Sequence, residues 1–214
     1  SSAFGRGNTA TGSNSSAFGY QNFSDGSSST AIGFKNKALS QSTTSVGYGN
    51  TVTGNESSAF GYSNKIESAG GTAIGHANSA LGMGSSAIGS GNTANTGGTT
   101  AIGQNNSASG SNANAIGNAN TTSGTRSNAF GSGNAATSEG SNAFGVDNKV
   151  AGSYGSAFGY SNKSNSNSSA IGYFNEANGV SSNAFGYQNK SGGWYSRAFG
   201  FQNTASGESS VSFG

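Results

Sequence analysis

The chain has no cysteine and no proline, and it has one histidine, His76. Without cysteine there is no disulfide framework and no thiolate metal site. A single histidine excludes a multi-histidine centre. Charged residues make up only 7% of the 214 residues, and the formal net charge is +2. Nine Lys and Arg are too few for a nucleic-acid footprint. No apolar run approaches the roughly 18 residues that a spanning helix needs. Low hydrophobicity alone would point to disorder, but disorder also wants high net charge and usually proline. The chain must therefore order itself without one large core. It begins at Ser1 with no leader, which reads as a piece excised from something longer.

What is present in quantity is glycine, 38 residues, and it falls in register. A tripeptide of Ala or Ser, a large apolar residue and Gly recurs with glycines at Gly5, Gly19, Gly33, Gly47 and so on to Gly214. The interval is 14 residues throughout, except for 13 between Gly159 and Gly172, which puts a short coil at 160–172. Such a period is the signature of stacked repeats. The residue before each glycine is Phe4, Phe18, Ile32, Val46, Phe60, Ile74, Ile88, Ile102, Ile116, Phe130, Phe144, Phe158, Ile171, Phe185, Phe199 or Phe213. The residue before that is Ala, save Ser45 and Ser212. Three after each glycine stands Asn, for example Asn8, Asn22, Asn36, Asn64, Asn106, Asn148 and Asn189. Five after it the residue is small or β-branched.

Fourteen residues are too few for a helical repeat, which needs about 30, and glycine at fixed places weakens helices by about 1 kcal/mol each. The segment before each glycine alternates small with large and reads as a short strand. A second short strand fits after the Asn. Two strands and two turns per unit predict an all-β, parallel β-solenoid of about fifteen coils, pairing at about 4.8 Å to make a rod of roughly 70 Å. The whole of 1–214 reads as a single repeat domain. The Asn column has two readings, a residue tolerant of positive φ in the turn or a side-chain ladder from coil to coil.

Side chains alternate across a strand. A two-strand coil is thin, so Ala suits its interior and the Phe/Ile/Val column would form an apolar stripe outside. Such a stripe does not stay in water, and three flat-faced rods closing on it would make a cyclic trimer. The alternative places Phe/Ile inside the coil and Ala at the interface.

The unit Ser/Asn-x-Ala-Ile/Phe-Gly-x-x-Asn-x-Ala-x-Gly, as in Ser29–Gly33 or Ser127–Gly131, resembles the YadA-like head repeat of trimeric autotransporter adhesins over the whole chain. The resemblance implies a left-handed parallel β-roll assembled as a parallel homotrimer, so that the partners are two identical chains. It implies display on a Gram-negative cell surface, with an outer-membrane anchor in C-terminal regions absent here. It implies non-enzymatic attachment to host matrix protein, glycan, cells or solid surfaces, and cell–cell aggregation, with no cofactor. The alternative is a receptor-contacting or spacer segment of a trimeric phage tail fibre. An ice-binding surface would need a uniform Thr column, and a hydrolase would need acids clustered in one column of adjacent coils; neither pattern is present.

Candidate ligand contacts lie in the column directly after the glycine, where Tyr20, Tyr48, Tyr62, Tyr160, Tyr173 and Tyr187 form two ladders with Phe34 and Phe201. Aromatic faces suit sugars and apolar surfaces; the rival reading is that the ladders only stabilise the stack. Trp194 and Tyr195 share one turn as a partner anchor or a packing cap. Lys37, Lys65, Lys149, Lys163 and Lys190 share one column, as a stripe for anionic surfaces or as solubilising side chains.

Overall fold

The structure, a computed structural model, describes residues 1–214. It is all-β. Sixteen long strands alternate with fifteen short ones, one of each per coil. The chain divides into two compact units, Ser1–Ser107 and Ala108–Gly214.

In the first unit the long strands run from Ser2–Arg6 to Thr100–Gln104. Each pairs in parallel with the strand one repeat on, so that Ala17 faces Ala31, Phe18 faces Ile32 and Gly19 faces Gly33. The two-residue strands, from Thr9–Ala10 to Thr93–Ala94, form a second parallel sheet by the same rule. In the second unit the long strands run from Asn114–Asn118 to Val211–Phe213, and the short ones from Thr121–Thr122 to Thr204–Ala205. Like pairs with like there too, as in Phe130 with Phe144. This register makes every sequence column a physical row.

The interior of each unit is one methyl group deep. Ala17, Ala31, Ala59, Ala73, Ala87 and Ala101 on the long strands are fully buried, as are Ala38, Val52, Ile66, Ala80 and Ala94 on the short ones. The second unit repeats this with Ala129, Ala136, Ala143, Val150 and Ala157. The Ala column therefore fills the coil, and the Phe/Ile/Val column directly before the glycine does not. Two larger inward side chains are matched by glycine: across from Ile66 lies Gly71, whose added Cβ would sit 2.5 Å from Ile66 Cγ2. Val150 and Gly155 repeat the exchange, at 2.8 Å. Interiors packed this closely admit no larger side chain.

Both turns keep their pairing to the next coil. In the first, Gln21, Lys35 and Ala77 adopt φ of 53–55°. The N–H of Lys35 still bonds the carbonyl of Tyr20 at 2.9 Å. The second turn closes when a buried hydroxyl, such as Ser15 Oγ, donates back to Gly12 O at 2.7 Å. In the 13-residue coil the second turn loses one residue. Asn165 performs alone what Ala151 and Gly152 share one coil earlier: its N–H bonds Ala177 O at 3.0 Å and its carbonyl accepts from Ser168 N at 3.3 Å. Its Oδ1 also takes the N–H of Ser166 at 2.9 Å. Strand pairing is intact across it, from Ser156–Ser169 to Tyr160–Tyr173 and at Lys163–Glu176.

Candidate functional site

The Asn column is a ladder, and its φ is not in the left-handed region. The tolerance of Asn for positive φ therefore does not explain the column: the left-handed residue is the one before it. Asn92 shows the arrangement. Its Nδ2 donates to Asn78 Oδ1 at 3.0 Å, to Ile88 O at 2.9 Å and to Gly103 O at 2.7 Å. Its Oδ1 accepts from the backbone N–H and the Nδ2 of Asn106, both at 3.0 Å. Asn22, Asn36, Asn64, Asn106, Asn148 and Asn189 are all nearly or fully buried. Asn8, on the first coil, is less buried and accepts from Asn22 at 3.0 Å.

The glycine three residues earlier makes this possible. Gly75 has φ of 116°, and a Cβ there would lie 2.0 Å from Gly89 O. That carbonyl occupies the space and accepts from Asn78 Nδ2 at 2.8 Å. The Gly-x-x-Asn spacing is thus one device: glycine opens a slot, the next coil's carbonyl enters it, and the amide binds that carbonyl. Sequence reasoning located the two columns but not their connection. It also missed the left-handed positions before each Asn and in the second turn. A signal was there, because Gly7, Gly49, Gly91 and Gly133 share the first of these columns with Asn105.

The outer face of the long strands carries the predicted apolar stripe. Phe18, Ile32, Phe60 and Ile74 are 39–40% exposed, and the terminal Phe4 and Phe213 are 75% and 73% exposed. Val46, Ile88, Ile102, Ile116, Phe130, Phe144, Phe185 and Phe199 are half-buried, and Phe158 and Ile171 are exposed. Phe130, Phe144 and Phe158 stack at 4.9 Å between centroids with planes 5° apart. Phe185, Phe199 and Phe213 stack at 5.0–5.1 Å with planes 2° and 18° apart. Beside the stripe runs a polar row in which Asn114 donates to Asn128 at 2.8 Å and Asn128 to Asn142 at 2.9 Å.

The column after the glycine forms two continuous stacks. Tyr20, Phe34, Tyr48, Tyr62 and His76 succeed each other at 4.8–5.1 Å. Tyr160, Tyr173, Tyr187 and Phe201 do so at 5.0–5.1 Å. The planes lie within 14° of parallel, so neighbouring rings stack on one another. Tyr48, Tyr62, Tyr160, Tyr173 and Tyr187 remain 39–46% exposed within these stacks. At one end the Arg6 guanidinium lies 5.7 Å from the Tyr20 centroid.

Trp194 and Tyr195 stand free of these rows on the second turn, 62% and 54% exposed. The Lys column is exposed. Within it Lys163 donates to Glu176 at 3.0 Å, and Lys190 lies 3.5 Å from the other oxygen of the same carboxylate. The Lys163 hydrogen bond holds the Glu176 carboxyl below its ordinary range, against an opposing contribution from partial burial. In-register stacking would otherwise set like charges side by side, as it does at Lys149 and Lys163.

No curated protein matches the chain. The family described as YadA head domain repeat (2 copies) matches residues 1–22, 10–36, 24–50, 38–64, 68–92, 97–118 and 195–214. Between residues 119 and 194 the same slot and amide recur, as Gly131, Asn134 and Gly145 O show at 2.7 Å. With more than half of its length matched, the chain belongs to the YadA head domain repeat family.

Proposed function

We propose that the chain is the adhesive head of a trimeric surface adhesin, a binding and spacing module without chemistry of its own. One observation carries the reading: in each unit a row of Phe, Ile and Val lies outside a coil too narrow to take it in. Full burial of such a side chain is worth about 1.5–3 kcal/mol, and strand pairing alone leaves these partly in water. Two further copies with the same stripe and the same repeat would cover it around a common axis. Family membership supports display at a Gram-negative cell surface and attachment to matrix protein, glycan or solid surfaces.

The test measures mass and attachment together. Light scattering on the purified chain should give three times 20.9 kDa. Cells or beads displaying it should hold to matrix proteins or to plastic better than bare controls. A stable, folded species of single-chain mass overturns the trimer. Absence of attachment to every surface overturns the adhesive role.

A further inference from the structure

A chain without cysteine cannot tie its coils together by disulfides, but it places phenols where another covalent tie can form. Parallel register sets Tyr48 on Tyr62 with centroids 4.8 Å apart. It sets Tyr173 between Tyr160 and Tyr187, at 5.1 and 5.0 Å. All five rings are 39–46% exposed, open to a soluble oxidant. Tyr20 has only Phe34 as its stacking neighbour. Tyr154 and Tyr195 lie on second turns and stack with no tyrosine, so the chain carries its own unpaired controls.

We propose that these neighbouring phenols are an oxidative modification site, at which hydrogen peroxide acting through a haem peroxidase joins adjacent coils of one chain as dityrosine. Each phenol gives up one electron and its hydroxyl proton to become a phenoxyl radical. The two radicals combine at carbons ortho to oxygen. Loss of the two ortho hydrogens as protons, with return of protons to both oxygens, restores two phenols. One carbon–carbon bond forms, two carbon–hydrogen bonds break, and peroxide takes up two electrons and two protons to leave two waters.

Geometry favours coupling within the chain. The strands hold the partners beside each other permanently, which turns a bimolecular encounter into a unimolecular step. The linking carbons meet only if the rings twist out of the stack, and rotation about the bond to an aromatic ring is broad and soft. Phe174 hinders this at one pair: it lies edge-on to Tyr173 at 4.7 Å and 5.5 Å from Tyr160. The favoured links are therefore Tyr48–Tyr62 and Tyr173–Tyr187.

The experiment treats the assembled protein, at high dilution, with peroxidase and hydrogen peroxide. Expected are dityrosine fluorescence, loss of two hydrogens per link at single-chain mass under denaturing conditions, and linked peptides mapping to these pairs. The double variant Tyr62→Phe/Tyr173→Phe removes each adjacent tyrosine pair and keeps the rings stacked, since Phe34 and Phe201 already occupy this column. It should form no dityrosine. Absence of links in the native protein, equal linking in the folded double variant, or links that join separate chains would overturn the proposal. If the double variant loses its strand signal, Tyr173→Phe alone decides: its links must fall only at Tyr48–Tyr62, and any other site refutes the assignment.

Discussion

Asn36 donates from Nδ2 to Oδ1 of Asn22, 3.1 Å away, and its own Oδ1 accepts the backbone N–H of Asn50 at the same distance. This relation, repeated from coil to coil, makes the buried amides of each unit a connected row. The Asn36 Nδ2 has two hydrogens and three acceptors in reach, so one hydrogen is shared between two oxygens.

Asn92→Ala should be costly. It removes the donor for Ile88 O and Gly103 O and the acceptor for the backbone N–H of Asn106. A buried polar group left without a partner costs about 1–3 kcal/mol. The expected loss is about 3 kcal/mol, read as a lowered urea midpoint. A shift equivalent to less than about 0.5 kcal/mol, the range of an ordinary surface change, would show that the row is ornamental.

The pair Ile66 and Gly71 gives a second prediction. Gly71→Ser forces a side chain onto Ile66 Cγ2 and should cost about 1–3 kcal/mol through overpacking. Ile66→Ala should cost about 2–5 kcal/mol through the cavity it leaves. Together they recreate the Ala-with-Ser interior of other coils, such as Ala80 with Ser85. The double variant should be more stable than the sum of the single losses by more than the roughly 0.5 kcal/mol expected of independent sites. Strict additivity in denaturant titrations would mean that the two side chains do not share one volume.

The period, the two strands per coil and the Ala interior could be read from the sequence because identical surroundings recur at each coil and impose identical residues. Asn36 was ambiguous because Asn suits both a left-handed turn and an amide row, and only the geometry separates these. The left-handed residues were hidden for a different reason. The bond from Lys35 N to Tyr20 O imposes that backbone on whatever residue occupies the position, so Lys35, Ala77 and Phe174 stand where glycine would have been the cue. The tyrosine ladder was legible as a spacing. Its near-parallel stacking was not, since sequence fixes which rings are neighbours but not how they tilt.

Glu176 predicts a pH response. Its folded-state pKa is lowered, first by the Lys163 hydrogen bond. The carboxylate therefore adds stability that is fully present above its unfolded pKa and is lost as pH falls through the folded value. The lysines are more than half exposed, so screening limits the contribution to about 0.5 kcal/mol. Glu176→Gln should melt slightly below the native chain at neutral pH. The gap should close as the pH falls below the ordinary carboxylate range, and added salt should shrink it. A gap independent of both would assign the effect to packing.

The outer stripe is tested most directly at Phe144, whose ring stacks on Phe130 and Phe158. If subunits meet along this row, Phe144→Glu places a carboxylate from every chain in an apolar seam with no cation beside it. A buried, unpaired charge costs several kcal/mol, more than the about 1.5–3 kcal/mol that burial of the ring supplies. The expected result is a fall in solution mass toward 20.9 kDa, with a lower melting point. Thr125→Glu is the matching control: it lies exposed on the second turn, in the column where Glu139 and Glu208 already stand, and should leave the mass unchanged. Phe144→Glu with unaltered mass and melting would show that this row faces solvent in the assembly, and the seam would have to be sought on another face of the coil.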